Sequence, residues 1–382
     1  MNVLGTALSA LLGQSRSVAT SANNIANTTT TGFKAERTDF ATANPESGGV
    51  RTFQTRLIDQ QGPAFQTSEN LDTAINGNGF FVVEDGQGGQ AFTRDGSFSP
   101  DANGDLRNAA GSRLLGFAEG GGELQPVNIG EGGIGANVTS EIEFQANLDA
   151  RSDPAETGVD FSRNVDVFDS AGADQTLSFD FEASGTNQFD FTARDENGVT
   201  LGTQTLEFDT GGQLTTPADG QIELTGIDFG NGSEAQDITV DLSGTTQFSS
   251  SFAVQNVDQN GFGPGNLSSV SIGGDGQVSA QFSNGASEEI AQVPLATFAS
   301  PAGLQPASNN RFLETRDSGE ANINIPGQGG AGTLNPASLE GSNVSLTSET
   351  ANIIQADVAF RAALSTIRAE EEQFESLLDI TS

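Results

Sequence analysis

The stretch that decides the fold is Ala19-Thr-Ser-Ala-Asn-Asn-Ile-Ala-Asn-Thr-Thr-Thr-Thr-Gly-Phe-Lys34, near one end of a chain of 382 residues. It continues a pattern of apolar residues spaced three and four apart, which is typical of a helix that packs against another helix. Four consecutive β-branched threonines then follow, and Gly32 can take up a left-handed turn. We therefore predict a helix from residue 2 to about Asn27.

The other end of the chain carries a similar apolar stripe, in which Glu370 is the one polar residue. Thr347 is the predicted start of this helix, because the Ser348 hydroxyl can cap it and Glu349 meets the positive end of the helix dipole. The residues of both stripes, here called the predicted assembly residues, are Leu4, Leu8, Leu11, Val18, Ala22, Ile25, Ile353, Ala356, Phe360, Ala363, Ile367, Phe374 and Leu377.

Periodicity alone leaves two interpretations of these stripes open. The two helices could pack on each other and close one globular domain, or they could also face copies of themselves in neighbouring molecules. Isolated helices of this length are marginal in water, so the partner supplies most of their stability. The ends would therefore be largely disordered wherever that partner is lacking.

The composition between the ends favours β structure. The chain has 48 glycines, and its 26 aromatic residues are all phenylalanines. In Phe179-Asp-Phe181 and Phe189-Asp-Phe191 the rings alternate with polar residues, which places them on one face of a sheet. Turn-forming residues recur about every ten residues, as in a sandwich or barrel.

The order of these patterns predicts a mainly β, nested multidomain chain with terminal α-helices. One β domain is inserted into another, which requires the two ends of the outer domain to meet at the boundary. The predicted parts are a coiled-coil-like terminal helical domain, a proximal β domain and an inserted outer β-sandwich or barrel, over residues 1–32 with 345–382, 33–145 with 285–344, and 146–284.

Charge and residue inventory exclude several function classes. The formal net charge is −36, and no Lys or Arg lies between Asp195 and Asn310. Nucleic-acid binding needs clustered cations, which this chain lacks. The absence of Cys and His removes thiolate catalysis, cysteine zinc sites and the commonest neutral-pH base. We expect no catalytic residues, no cofactor and no metal, and we expect the acidic region to remain outermost, in water.

The sequence also lacks the usual membrane signals. Its first residues have no basic region of the kind that opens a Sec-type signal peptide. No stretch approaches the 18 or so apolar residues that a membrane helix needs. We expect no membrane insertion, and export, if it occurs, by a route that reads another feature.

Two motifs have the spacing of ligand-binding loops but the wrong context. Gly327-Gln-Gly-Gly-Ala-Gly332 has the glycine spacing of a dinucleotide loop, but Pro336 follows where a helix would have to begin. Asp101-Ala-Asn-Gly-Asp105 has the oxygen spacing of half a calcium loop, but Leu106 and Ser112 stand where such a loop needs Gly and an acid. A tight hairpin turn is predicted at the second motif.

The opening stretch resembles the amino-terminal signature of the flagellar rod and hook axial family, in which an amphipathic helix runs into Asn-Ile-Ala-Asn and then Thr-x-Gly-Phe-Lys. Three further blocks are similar to the same family, at residues 72–81, 92–98 with 108–116, and 341–346. The large insert between the blocks favours the hook branch over the shorter distal rod branch. The signature residues are Asn24, Ile25, Ala26, Asn27, Gly32, Phe33 and Lys34.

The resemblance implies a structural, self-assembling subunit of the bacterial flagellum and not an enzyme. Relatives leave the cell through the flagellar type III export apparatus without a cleaved signal peptide. They assemble under a hook cap protein into a curved, flexible extracellular tube, the universal joint between rod and filament. The implied partners are copies of the chain, the rod, the hook cap, the hook–filament junction proteins and the export apparatus.

Two alternatives remain open at this point. One is a distal rod subunit of the basal body with an enlarged insert. The other is a secreted β-rich adhesin or polysaccharide-acting enzyme, which would be a stable monomer with ordered termini and saturable ligand binding.

Overall fold

A computed structural model of the chain describes residues 3–43, 48–86, 88–118, 120–130, 132–155 and 158–381. One helix lies near each end: α1 spans Val3–Ala26 and α2 spans Leu346–Thr381. The Ser345 hydroxyl accepts the Ser348 N–H at 3.4 Å, so α2 begins one residue before the predicted start.

Almost all other regular structure is β, as predicted from composition. The first ten strands are Glu36–Thr42 (β1), Val50–Arg56 (β2), Ala64–Gln66 (β3), Thr73–Asn76 (β4), Phe80–Glu84 (β5), Gln90–Thr93 (β6), Phe98–Pro100 (β7), Leu106–Asn108 (β8), Arg113–Ala118 (β9) and Leu124–Pro126 (β10). The next twelve are Gly133–Ile134 (β11), Glu141–Asp149 (β12), Phe161–Phe168 (β13), Asp174–Gly185 (β14), Gln188–Arg194 (β15), Thr200–Phe208 (β16), Leu214–Thr216 (β17), Gln221–Ile227 (β18), Gln236–Asp241 (β19), Thr246–Phe248 (β20), Ala253–Gln259 (β21) and Gly265–Ile272 (β22). The last eight are Gln277–Phe282 (β23), Ser287–Gln292 (β24), Leu295–Thr297 (β25), Gln305–Ala307 (β26), Arg311–Leu313 (β27), Asn322–Asn324 (β28), Thr333–Pro336 (β29) and Ser338–Glu340 (β30).

The chain divides into two compact units, one of which interrupts the other. We call residues 1–131, 269–280 and 288–382 the terminal unit, and residues 132–268 and 281–287 the inserted unit. The inserted unit starts before the predicted residue 146 because β12 belongs to one of its sheets. The division into three domains, with the helices as a domain of their own, stays a prediction.

The inserted unit is a sandwich of two sheets around a phenylalanine core. Strands β13 to β17 form an antiparallel meander, and β12 lies in the second sheet between β19, β20 and β21. The Phe144 ring of β12 lies 5.7 Å from both Phe179 and Phe181 of the meander. The predicted alternation is confirmed, because Phe179, Phe181, Phe189 and Phe191 are all fully buried.

In the terminal unit, strands from before and after the insert close one core. Strand β5 pairs with β6, β9 and β25, and β6 pairs with β27. The ring of Phe80 meets those of Phe298 and Phe312 edge-on at 5.9 and 5.5 Å. The last strands before α2 return in the same way, since β29 pairs with β4 and β30 with β3.

Several hairpins use one turn device, an Asp or Asn followed three residues later by Gly. At the first, the Asp101 carboxylate accepts the N–H groups of Asn103 and Asp105 at 2.8 and 3.1 Å, and Gly104 has φ +83°. Only Gly adopts that conformation without strain, so the pair fixes the turn. The predicted hairpin is confirmed at this motif. The same device recurs at Asn108/Gly111, Asp169/Gly172, Asp195/Gly198 and Asp209/Gly212.

Candidate assembly surface

Helices α1 and α2 pack against each other, and α1 also packs against the β1–β2 hairpin. The side chains that α1 buries are small or polar, since they are Ala7, Thr20, Ser21 and Asn24. At Gly13 a Cβ atom would lie 2.8 Å from the Phe40 ring, so the absence of a side chain lets the hairpin approach the helix. The inward face of α1 is therefore not its most apolar face.

Three large apolar side chains on each helix are exposed to solvent. Leu8 is 52 % exposed and Val358 is 63 % exposed. On α1 these residues lie four apart, and on α2 they lie eight and four apart, which places the members of each row toward one side of the helix. Rows of exposed large apolar residues on a folded chain indicate an interaction surface. We call these rows the outward faces: Leu4, Leu8 and Leu12 on α1, and Leu346, Ile354 and Val358 on α2.

The structure distributes the predicted assembly residues over different environments. Ala356 is buried; Leu4, Leu8 and Ala22 are exposed. The side chains of Phe374 and Leu377 lie outside the described residues. The others are half-buried: Leu11, Val18, Ile25, Ile353, Phe360, Ala363 and Ile367. The stripe predicted on α2 is thus largely its inward face, whereas that on α1 is divided between two faces.

Sequence reasoning missed four members of the outward faces, namely Leu12, Leu346, Ile354 and Val358. The predicted stripes followed alternating spacings of three and four, which select a single face. On α1 the available signal for Leu12 was a row with a constant spacing of four, Leu4-x-x-x-Leu8-x-x-x-Leu12. A helix with two apolar faces requires two partners.

Asn24 of the signature ties α1 to both neighbouring elements. Its side chain is fully buried, and its amide donates to the Glu36 carbonyl oxygen at 2.7 Å and to the Glu349 carboxylate at 3.0 Å. Its carbonyl oxygen accepts the Glu36 N–H at 3.0 Å. The end of α1, the start of β1 and the first turn of α2 therefore meet on one side chain.

Lys34, the last residue of the signature, belongs to a buried ion cluster. Its ammonium donates to the Glu340 carboxylate at 2.6 Å and to the Gln60 carbonyl oxygen at 2.7 Å. The other oxygen of Glu340 accepts from Arg94 at 3.2 Å. The Gly62 N–H donates to the same oxygen as Lys34, at 2.9 Å. Both oxygens of Glu340 are therefore satisfied by protein donors.

Burial is the dominant influence on the two cations of this cluster. It lowers the pKa of Lys34 below the usual lysine value, and the Glu340 carboxylate opposes that shift. It likewise lowers the pKa of Arg94, again against Glu340. Arg94 has two further contacts, a hydrogen bond of 2.9 Å to the Gly77 carbonyl oxygen and the face of the Phe80 ring at 5.2 Å.

The remaining signature residues lie at the end of α1 and in the turn that leads to this cluster. Gly32 has φ +65°, its N–H donates to the Glu340 carbonyl oxygen at 2.7 Å, and a Cβ atom would lie 2.5 Å from the Arg94 carbonyl carbon. Phe33 is buried, Ile25 and Asn27 are half-buried, and Ala26 is exposed. Most of the signature thus connects α1 to the β structure instead of forming a surface.

The glycine-rich motif near β29 forms a closed loop in the described residues. The loop from Ile325 to Gly332 closes on itself through the Gly327 N–H and Gly332 carbonyl at 2.8 Å, and it leads into β29 instead of a helix. The part of the chain that the structure describes contains no group of three acidic side chains arranged to hold a metal ion. Its helices include none that is long and apolar enough to cross a membrane.

Flagellar hook proteins match nearly the whole length of the chain. The flagellar hook protein FlgE of Brucella suis is 31% identical over 99% of this chain and 98% of its own length. This chain belongs to the flagellar hook protein family. A second hook protein, FlgE of Escherichia coli K12, is 32% identical over 94% of both chains.

Family models match the blocks that resembled the rod and hook family, and one model also matches most of the insert between them. They are the flagella basal body rod protein model, the hook protein FlgE/F/G D1 domain, the basal body protein FlaE D2 domain and the rod FlgEFG protein C-terminal model, over residues 4–34, 74–147, 136–262 and 336–380. Membership identifies the chain as a structural subunit of the flagellar hook that forms a homopolymer. It is not an enzyme.

The fold agrees with a solved hook protein structure. The Helicobacter pylori flagellar hook protein FlgE2 covers 71% of this chain with 98% of its own, with a TM-score of 0.56 and 14% sequence identity. At that identity the likeness concerns the fold alone.

Proposed function

We propose that the chain polymerises through its outward faces into a curved, flexible extracellular tube, which transmits torque from the flagellar rod to the filament. The observation that carries the proposal is the exposure of Leu4, Leu8 and Leu12 on α1 and of Leu346, Ile354 and Val358 on α2. Burying one such side chain fully against a partner is favourable by roughly 1.5–3 kcal/mol relative to leaving it in water. Copies of the same chain supply such a partner at both helices.

The distribution of charge also supports assembly through the helices and not through the inserted unit. The inserted unit has no lysine and few arginines, so repulsion between copies opposes its burial in a tight interface. The helices, in contrast, present uncharged side chains at six positions. Contacts between copies therefore concentrate at the helices, while interfaces elsewhere remain weak enough to slide as a tube bends.

The test compares two exposed valines. Val358→Glu places a charge on the outward face of α2, and Val199→Glu places one on an exposed hairpin of the inserted unit, where Val199 is 57 % exposed. Both monomers should keep their thermal stability to within about 0.5 kcal/mol. Negative-stain microscopy of concentrated protein should show tubes for the parent and Val199→Glu and none for Val358→Glu. Tubes from Val358→Glu at parental concentrations would contradict the proposal.

The further partners are the rod, the hook cap, the hook–filament junction proteins and the type III export apparatus, which would export the chain without a cleaved signal peptide. Antibody labelling of isolated basal bodies tests the location. Label beyond the outer membrane supports the extracellular hook, whereas label confined beneath it would favour a rod position.

A further inference from the structure

The chain has a single lysine, and that lysine is buried. Lys34 is the only lysine in 382 residues, and every other basic residue is an arginine. Its side chain is 0 % exposed, as is the side chain of Glu340. Lysine is among the residues least often found fully buried, and then it is paired. The placement therefore requires a specific explanation.

The cluster joins segments that are distant in sequence. Lys34 lies shortly after α1, Glu340 lies shortly before α2, and Arg94 follows β6 of the sheet. Glu340 binds all of them, since its carboxylate accepts from Lys34, Arg94 and Gly62 and its carbonyl oxygen accepts the Gly32 N–H. Glu340 thus holds both the segment that follows α1 and the segment that precedes α2.

Stability alone does not account for such a cluster. Two cations and one carboxylate are taken out of water, and replacing buried ion groups by apolar side chains of similar volume is often neutral or stabilising. What the ion cluster adds is direction, because the oxygens of Glu340 bond best with donors that lie near their lone-pair directions. Lysine suits the site because its compact ammonium reaches Glu340 and the Gln60 carbonyl at once.

We propose that Glu340, held by Lys34 and Arg94, is a positioning residue for polymerisation. It fixes the directions in which α1 and α2 join the β structure, and so decides whether the outward faces can meet those of another copy. This inference rests on the proposed function, because it concerns the same assembly surface.

The first test removes the two bonds of Lys34 and leaves the other bonds of Glu340 in place. In Lys34→Met the Arg94–Glu340 pair and the Gly62 hydrogen bond remain, so the sheet should stay folded, with a melting temperature lowered by the loss of the Lys34 bonds. Arg107→Met is the matched control, because Arg107 forms an ion pair of 2.5 Å with Asp101 at a hairpin of the same unit. Lys34→Met should form no tubes, whereas Arg107→Met should form tubes as the parent does.

Amide hydrogen exchange of the monomers separates positioning from general destabilisation. Exchange at the end of α1 and the start of α2 should rise about a hundredfold in Lys34→Met, the factor equivalent to the ~3 kcal/mol that loss of one partner from a buried ion pair typically costs. Strands β5 and β6 should remain protected, because their amides exchange only when the whole unit unfolds and start from a higher protection. Loss of protection in these strands together with the helix ends would make the cluster an ordinary part of the core and overturn the proposal.

A second variant keeps the lysine as its own reporter. In the parent, an amine-reactive reagent should modify Lys34 slowly, because the amine is buried and bonded to Glu340. In Glu340→Gln, which keeps the shape of the side chain, modification followed by peptide mass spectrometry should be about a hundredfold faster and tubes should be absent. Parental labelling and parental tubes would overturn the proposal, even if Lys34→Met failed to fold.

The outcomes also distinguish this inference from the proposed function. If a variant shows raised exchange at the helix ends but assembles normally, the positioning role is wrong and the proposed function stands. If the parent itself forms no tubes, the proposed function fails. The exchange and labelling results then decide whether the cluster holds the helix ends, and parental values in both would overturn that role too.

Discussion

The inserted unit and the terminal helices treat apolar side chains in opposite ways. In the inserted unit, Phe179, Phe181, Phe189 and Phe191 are all buried within the sandwich. On α2, Ile354 and Val358 stay mostly exposed, as does Leu8 on α1. A core that is complete within one chain serves stability, whereas an apolar face left open serves association. The same class of residue therefore has two uses in this molecule, which burial distinguishes and composition does not.

The largest expected effect tests this contrast directly. Phe181→Ala should lower the free energy of unfolding of the inserted unit by about 3–5 kcal/mol, because it removes a buried ring and leaves a cavity. Val358→Ala, its counterpart on the outward face, should change monomer stability by less than about 0.5 kcal/mol. Urea denaturation followed by circular dichroism measures both. Comparable losses in the two variants would contradict the distinction between apolar residues buried for stability and apolar residues exposed for association.

The second prediction concerns the point where α1 joins the β structure. Gly32→Ala should cost about 3 kcal/mol or more, since the left-handed backbone costs roughly 1–2 kcal/mol and the new Cβ atom would overlap the main chain of Arg94. The control is Gly111→Ala, where φ is +83° but no atom lies within 4 Å of the added Cβ. It should show only the backbone cost. Calorimetry of both variants gives the difference, and equal shifts would contradict the overlap argument.

The smallest expected effect concerns a buried carboxylate of the inserted unit. Burial opposes ionisation of Asp169, but hydrogen bonds from Ala173, Asn231, Ala171 and Gln175 outweigh it and lower the pKa below the ordinary value of 3.8. The stability that the ionised group contributes is therefore present above about pH 4 and is lost as the pH falls through the lowered pKa.

Asp169→Asn should accordingly destabilise the inserted unit by about 1 kcal/mol at pH 7 and by less at pH 3. Thermal melts of parent and variant at several pH values provide the measurement. Parallel curves down to pH 3 would mean that Asp169 has the same proton affinity in the folded and unfolded chain.

Local patterns made much of the fold predictable. The two helices followed from apolar spacing, the sandwich core from the alternating phenylalanines, and the Asp101 turn from its Asp and Gly. Each of these features depends on residues within a few positions of one another. Side-chain periodicity and allowed backbone angles set these features, and both depend on residues that are close together in the sequence.

The candidate site was only partly predictable, for two physical reasons. Periodicity shows that a residue is apolar but not which of two apolar faces turns inward, so Ile354 and Val358 were missed. The ion cluster joins Lys34 to Arg94 and Glu340, whose separation in sequence gives no local pattern. The available hint was compositional: a lone lysine in a chain that otherwise uses arginine.

The topology of the sandwich also has a kinetic consequence. Every pairing within the meander joins strands that are neighbours in sequence, so short loops close it. Strand β12 instead pairs with β19, β20 and β21, which lie about a hundred residues further along. Because closing longer loops costs more entropy, we expect the meander to order first and β12 last, which pulsed hydrogen exchange during refolding would show as later protection of β12. If the chain becomes free to fold from its amino-terminal end onward, the sandwich therefore stays incomplete until residue 259 is available for pairing.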